Sequence, residues 1–130
     1  MRNTSMPKTE CYMKNEMLYL NLGFSDIVVA PNTREVQHGG STYFNCSTSV
    51  TSKEVHWFHY PVSATERSFV YGFEKFYDPY LGRFAMVKNV TTGEYNLVIT
   101  SVVAGDAGKY ECQDDAGGGM RKSAHLVIIG

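Results

Sequence analysis

The chain has 130 residues, 12 basic and 13 acidic side chains, a formal net charge of -1 and 43% hydrophobic residues. That size suits one domain with an appendage. The charge balance holds no basic run of the kind a nucleic acid requires, and no stretch nears the roughly 18 apolar residues that span a bilayer. Any membrane anchor of the parent protein is therefore expected outside this chain. Aromatics are abundant, with 9 tyrosines and 7 phenylalanines.

Residues 1–24 are polar and Met-rich, and their apolar cluster Met17-Leu18-Tyr19-Leu20 is too short for a signal-peptide core. They are expected to form a mostly flexible extension that carries Cys11, one of 3 cysteines. From Ser25 onward the turn signals arrive at the short spacing of a β-sandwich, which places a single domain at 25–130. Strands are predicted over 26–30 and 34–38, with Pro31 between them suiting an edge strand or a switch between sheets. Gly39-Gly40 turns into a strand over 41–47, and the next, over 54–60, stops at Pro61. Further strands are expected over 68–73, 74–76 and 83–88, followed by a turn over 89–94. The last three fall at 95–100, 109–114 and 121–129, with Gly117-Gly118-Gly119 in the final loop.

The segment from Leu97 to Cys112 reads L-x-I-x-x-V-x-x-x-D-x-G-x-Y-x-C. Leu97 and Ile99 alternate onto one face of a strand, and Tyr110 and Cys112 do so on the next. Tyr110 stands two residues before a cysteine, where its ring can pack and its hydroxyl can bond backbone at the corner between strands. Together with Cys46 and Trp57 upstream, this pattern strongly resembles the immunoglobulin superfamily. The resemblance implies an all-β, Greek-key sandwich in which Trp57 packs on a Cys46–Cys112 disulfide, Leu97 and Ile99 lie in the core, and Tyr110 forms the tyrosine corner. A bridge closing a loop of roughly 65 residues stabilises by about 4 kcal/mol in the chain-entropy description. It also implies an oxidising compartment, hence a secreted protein or a receptor ectodomain. Cys11 is then left over for an intermolecular bond or as a free thiol. The sequons at Asn3, Asn45 and Asn89 add weaker support for a secretory route.

The distance from Trp57 to Leu97 leaves room for the extra strands of a variable-type (V-type) domain of about nine strands. Gly82-Arg83-Phe84 resembles the start of the D strand in such domains, which implies a structural ion pair between Arg83 and Asp106. The ending Ser123-Ala124-His125-Leu126-Val127-Ile128 is more similar to intermediate-type adhesion domains than to antigen-receptor joining segments. The mixture resembles invertebrate immune-type receptors and adhesion molecules. The short, glycine-rich last loop argues against antigen binding through loops.

Trp57 must point inward to meet the disulfide, so alternation sends His56, Phe58 and Tyr60 outward. Glu111 and Gln113 face out beside them. With Val70 inward, Phe69, Tyr71 and Phe73 are expected outside as well. Aromatic side chains there suit a face that pairs with a second copy or a related V domain, the C–C′–F–G face of such domains. The same aromatics are also explained if the amino-terminal extension or the segment over 68–76 caps them. His59 shares the face of Trp57 and is expected as a satisfied buried histidine.

No histidine pair completes a metal set, no calcium loop is present, and no cofactor is implied. No nucleophile–base–acid arrangement or phosphate loop appears, so the chain is read as a non-enzyme. Two other functions stay open. The run Glu74-Lys75-Phe76-Tyr77-Asp78-Pro79-Tyr80-Leu81 suits glycan or pattern recognition at the sheet edge, or equally a loop packed over the core. A monomeric spacer in a multidomain adhesion protein fits a chain that ends with its last strand.

Overall fold

The computed structural model describes residues 27–49, 55–114 and 120–130. The expectations for residues 1–24, Cys11, Asn3 and the glycine run at 117–119 lie outside the described residues. The strands are β1 (Ile27–Val29), β2 (Arg34–Gln37), β3 (Thr42–Phe44), β4 (Ser47–Thr48), β5 (Val55–Pro61) and β6 (Ser68–Gly72). They continue with β7 (Lys75–Phe76), β8 (Phe84–Asn89), β9 (Glu94–Ile99), β10 (Gly108–Asp114) and β11 (Arg121–Ile129). A 3-10 turn, Ala104–Asp106, precedes β10.

Two sheets enclose the core. One holds β1, β4, β9, β3 and β8, and the other has the order β2-β11-β10-β5-β6-β7. Pro31 does separate the two layers: β1 pairs antiparallel with β4, while β2 pairs parallel with β11 in the opposite sheet. Period-two burial is clearest in β9, where Tyr95, Leu97 and Ile99 point inward. β10 lies between β5 and β11, with Cys112 opposite Trp57 and Gly108 opposite Pro61.

Cys46 and Cys112 are bonded across the layers, 6.6 Å apart at Cα, so the bridge implied by the resemblance is present. Trp57 is fully buried beside it, and its indole N–H donates to the Tyr95 carbonyl at 3.0 Å. Phe44 fills the space between the layers, with its ring 5.2 Å from that of Tyr110 and 6.2 Å from that of Trp57.

One predicted strand is divided. The run expected over 41–47 is broken into β3 and β4 at Asn45-Cys46. There the Cys46 N–H donates to the side-chain Oδ1 of Asn96 at 3.0 Å rather than to a strand carbonyl. The Cys46 carbonyl still accepts from Tyr95 N–H at 2.8 Å, so the ladder is shifted rather than lost.

Gly108 explains the glycine of the D-x-G-x-Y-x-C string. Its φ is +129°, and a Cβ there would collide with the Tyr60 carbonyl oxygen of the neighbouring strand.

Candidate functional site

The outer face of the six-stranded sheet is a layer of rings with cations above it. Phe58, on β5, stacks on Phe69 of β6 with centroids 4.8 Å apart, and the Arg67 guanidinium lies 3.8 Å over Phe58. Phe69 continues the stack onto Tyr77 at 4.9 Å, and Lys75 Nζ sits 5.0 Å from the Tyr77 ring. Lys109 Nζ lies 4.3 Å over Tyr60. Three cation–π contacts on one sheet face are more than scattered surface aromatics supply.

Gly72 makes the stack possible. A Cβ at Gly72 would run into the Phe69 ring and approach the His56 ring at 3.2 Å, so the missing side chain lets Phe69 lie across the strand. His56 is 5.3 Å from Phe69, ring edge to ring face, and is itself buried.

Glu111 is the polar centre of the face. Its side chain is 9% exposed, and Oε1 accepts from Tyr60 Oη and from Arg67 Nη1, each at 3.3 Å. Arg121 approaches the same oxygen at 3.9 Å. The carboxylate therefore ties β5, the loop before β6, and β11 to β10.

The site residues expected from sequence divide into three groups. Tyr60, Phe69 and Gln113 lie at the face and remain part-exposed, as alternation requires. Phe58 and Glu111 lie there too, but only 6% and 7% exposed, so the aromatic patch is largely covered rather than open. Tyr71 requires a correction. It is 5% exposed and belongs to the core cluster, with its ring 4.9 Å from Phe76. The reason is a register shift: β6 spends an extra residue between the pairs Trp57–Tyr71 and Phe58–Phe69, which resets the alternation.

Sequence reasoning missed Arg67 and, although it placed Phe73 on the outer face, did not see a hairpin turn at Phe73-Glu74. Phe73 and Glu74 link Gly72 to its partner Lys75, and both have positive φ, 53° and 64°. Two-residue hairpin turns of this hand favour Asn-Gly, and bulky residues there are strained. Phe73 is nevertheless 66% exposed, with its ring 5.0 Å from His56. An Asn-Gly pair is the usual signal for such a turn, and its absence hid this one.

The opposite edge of the core holds a polar latch. Arg83 donates to Asp106 through both nitrogens, at 2.7 and 2.9 Å, as the resemblance implied. Asp106 Oδ2 also accepts from Val103 N–H at 2.9 Å, and its backbone carbonyl accepts from the Tyr110 hydroxyl at 2.6 Å. His59, 1% exposed, stacks flat on Tyr110 with centroids 4.3 Å apart. Its Nε2 lies 2.8 Å from the Ala107 carbonyl, which can only accept, so Nε2 carries the proton. In the neutral ring Nδ1 then accepts from the Tyr80 hydroxyl at 2.8 Å. Burial lowers the His59 pKa below its usual 6.5, against the opposing pull of the Ala107 hydrogen bond and the Asp106 charge. Burial likewise raises the Tyr80 and Tyr110 phenols. Tyr80 is 3% exposed in the core, so this part of the run at 74–81 packs inward.

The sequence matches no known family profile and no curated protein. Solved structures do match it. The first immunoglobulin domain of RIG-5, solved as a homodimer, superposes with a TM-score of 0.68 at 15% identity, covering 82% of this chain and 99% of that one. Domain I10 of titin superposes at 0.58 with 18% identity, covering 81% of this chain and 98% of that one. The fold is an immunoglobulin-like β-sandwich. Such identities establish the architecture and nothing finer. Among the described residues no helix is long and apolar enough to cross a membrane.

Proposed function

We propose that this chain is a V-type immunoglobulin domain of an immune-type or adhesion receptor, a non-enzymatic extracellular recognition module. It associates through the outer face of the six-stranded sheet with a second copy or a related V-type domain. The V-type assignment is supported by β7, which extends that sheet beyond β6, and by the parallel pairing of β2 with β11. The disulfide supports the extracellular assignment.

The observation that carries the contact face is the strained, exposed Phe73 at the end of an ordered aromatic stack. Strain of that kind persists where function holds it, and a pre-stacked ring layer loses little entropy when a partner covers it. The homodimer formed by the RIG-5 domain favours a partner of the same fold.

Solution molar mass across a concentration series, with and without reductant, tests the proposal. A reversible dimer in both conditions is expected, and Tyr60→Asp with Phe73→Ser abolishes it while the thermal melt stays cooperative. Phe58 is left intact because Arg67 and Phe69 cover it. A folded double variant that associates like the parent removes this face from consideration. A dimer lost only on reduction assigns association to Cys11 instead, and a monomer throughout restricts the face to a related V-type partner.

A further inference from the structure

We propose that Asn89 is an N-glycosylation site and that Asn45, in a sequon of the same form, is not. The proposal rests on the extracellular reading above. Asn89 is the last residue of β8 and is exposed, as is Thr91, which supplies the hydroxyl of the sequon Asn89-Val90-Thr91. Its Oδ1 accepts from the N–H groups of Thr91 at 3.0 Å and Thr92 at 3.3 Å. Thr92 Oγ1 donates back to the Asn89 carbonyl at 3.3 Å. With the carboxamide oxygen held against the turn, the nitrogen on the other side of Cγ points away from it. That nitrogen is the atom to be modified.

The reaction is a group transfer from a lipid-diphosphate-linked oligosaccharide. The bond between sugar C1 and the diphosphate oxygen breaks, a C1–Nδ2 bond forms, Nδ2 loses one proton to solvent, and the lipid diphosphate departs. No oxidant or reductant enters.

Asn45 offers the opposite surroundings. It is half-buried at the break between β3 and β4. Ser47, which supplies that sequon's hydroxyl, is 9% exposed and pairs with Val29 on one side and Glu94 on the other. The middle residue, Cys46, is fully buried in the disulfide. Once the bridge closes, the triplet is enclosed on both edges.

A glycan on Asn89 sits on the five-stranded sheet, at the far end of β8 from Arg83. It leaves the proposed contact face, in the other layer, uncovered and shields the exposed Val87 nearby.

The test is secretion of the full chain from insect cells behind a heterologous signal peptide. The product is treated with peptide N-glycosidase in heavy-oxygen water, and its peptides are read by mass spectrometry. Conversion of Asn89 to labelled aspartate is expected, with Asn45 unconverted. Asn89→Gln removes the label at 89, and Thr91→Ala does the same while keeping Asn89 and its backbone bonds. A secreted, disulfide-bonded protein with Asn89 unconverted overturns the proposal, as does occupancy of Asn45 equal to that of Asn89. Thiol counting on the same sample separates the two readings. Free thiols at Cys46 and Cys112 in a chain glycosylated at Asn89 would sink the disulfide argument for localisation and leave the site standing.

Discussion

The corner around Asp106 and the outer face around Phe58 solve the same problem by opposite means. At the corner, charge and hydrogen bonds are taken inside and paired: Asp106 is 2% exposed and receives Arg83 through both nitrogens. On the outer face, rings are stacked and cations lie over them, with one part-screened carboxylate, Glu111, tying strands together. The corner gains stability from geometry fixed by a local motif. The face gains order from side chains far apart in sequence, and accepts backbone strain at Phe73 and Glu74. The difference teaches where energy and function reside: losses at the corner should unfold the domain, and losses at the face should change what it binds.

The largest expected effect breaks the corner. Arg83→Ala leaves the Asp106 carboxylate buried with Val103 N–H as its remaining close donor, and such half-pairs cost about 3 kcal/mol. The part-exposed Arg83 side chain keeps the figure at the lower end of that range. Tyr110→Phe, which removes one hydrogen bond to the Asp106 carbonyl, should cost about 1 kcal/mol. Urea denaturation measures both, and equal losses in the two variants would contradict a corner organised around the ion pair.

Next in size is a pH effect from His59. Its folded-state pKa lies below the unfolded value of 6.5, so the unfolded chain binds the extra proton between the two. The contribution is therefore complete above pH 6.5 and declines as pH falls toward the depressed folded value. The slope approaches but does not exceed about 1.4 kcal/mol per pH unit. The diagnostic window is therefore just below pH 6.5. His59→Gln should flatten the stability curve in that window while lowering it overall. An unchanged slope would mean that another group carries the titration.

The two regions also differ in how much of them the sequence reveals. Leu97 with Ile99, and Tyr110 with Cys112, are legible because period-two alternation decides their faces within single strands, whereas Cys46 and Trp57 are legible by resemblance. Arg83 with Asp106 is legible by resemblance to a known frame. Tyr71 is not, because alternation is read without knowing that β6 shifts register against Trp57 and Phe58. Nor is the meeting of His59 with Tyr80, since the run at 74–81 carries no periodicity to say which tyrosine turns inward. Arg67 sits outside any strand, and only the folded chain shows its guanidinium lying over Phe58. Sequence pattern thus recovers what a strand does to its own residues, and loses what loops bring to it.

A third prediction sharpens the division between stability and binding. Replacing Phe73-Glu74 by Asn-Gly supplies the pair that a two-residue turn with positive φ prefers, and relief of the strain should stabilise the domain by about 1 kcal/mol. Glu74 is exposed and its contact with Lys88 is long, 3.9 Å, so little is lost there. If Phe73 is an anchor of the contact face, the same variant should associate roughly tenfold more weakly. A variant that is more stable and associates equally well would mean that the turn's strain serves nothing at this face.

The smallest effect concerns the cation above Phe58. Arg67 contributes a planar guanidinium over the ring and one hydrogen bond to Glu111, and at a site this exposed the two together are worth about 1 kcal/mol. Arg67→Lys keeps the charge but gives up the flat contact, whereas Arg67→Ala gives up both. If stacking dominates, the lysine variant should lose nearly as much as the alanine variant, and high salt should change neither difference. If the Glu111 pair dominates, lysine should rescue most of the loss and salt should erase it. Melting of both variants at two salt concentrations separates the cases. Stacking is the expected outcome, because the guanidinium sits 3.8 Å from the ring centroid while the carboxylate contact, at 3.3 Å, is at the long end for a charged hydrogen bond.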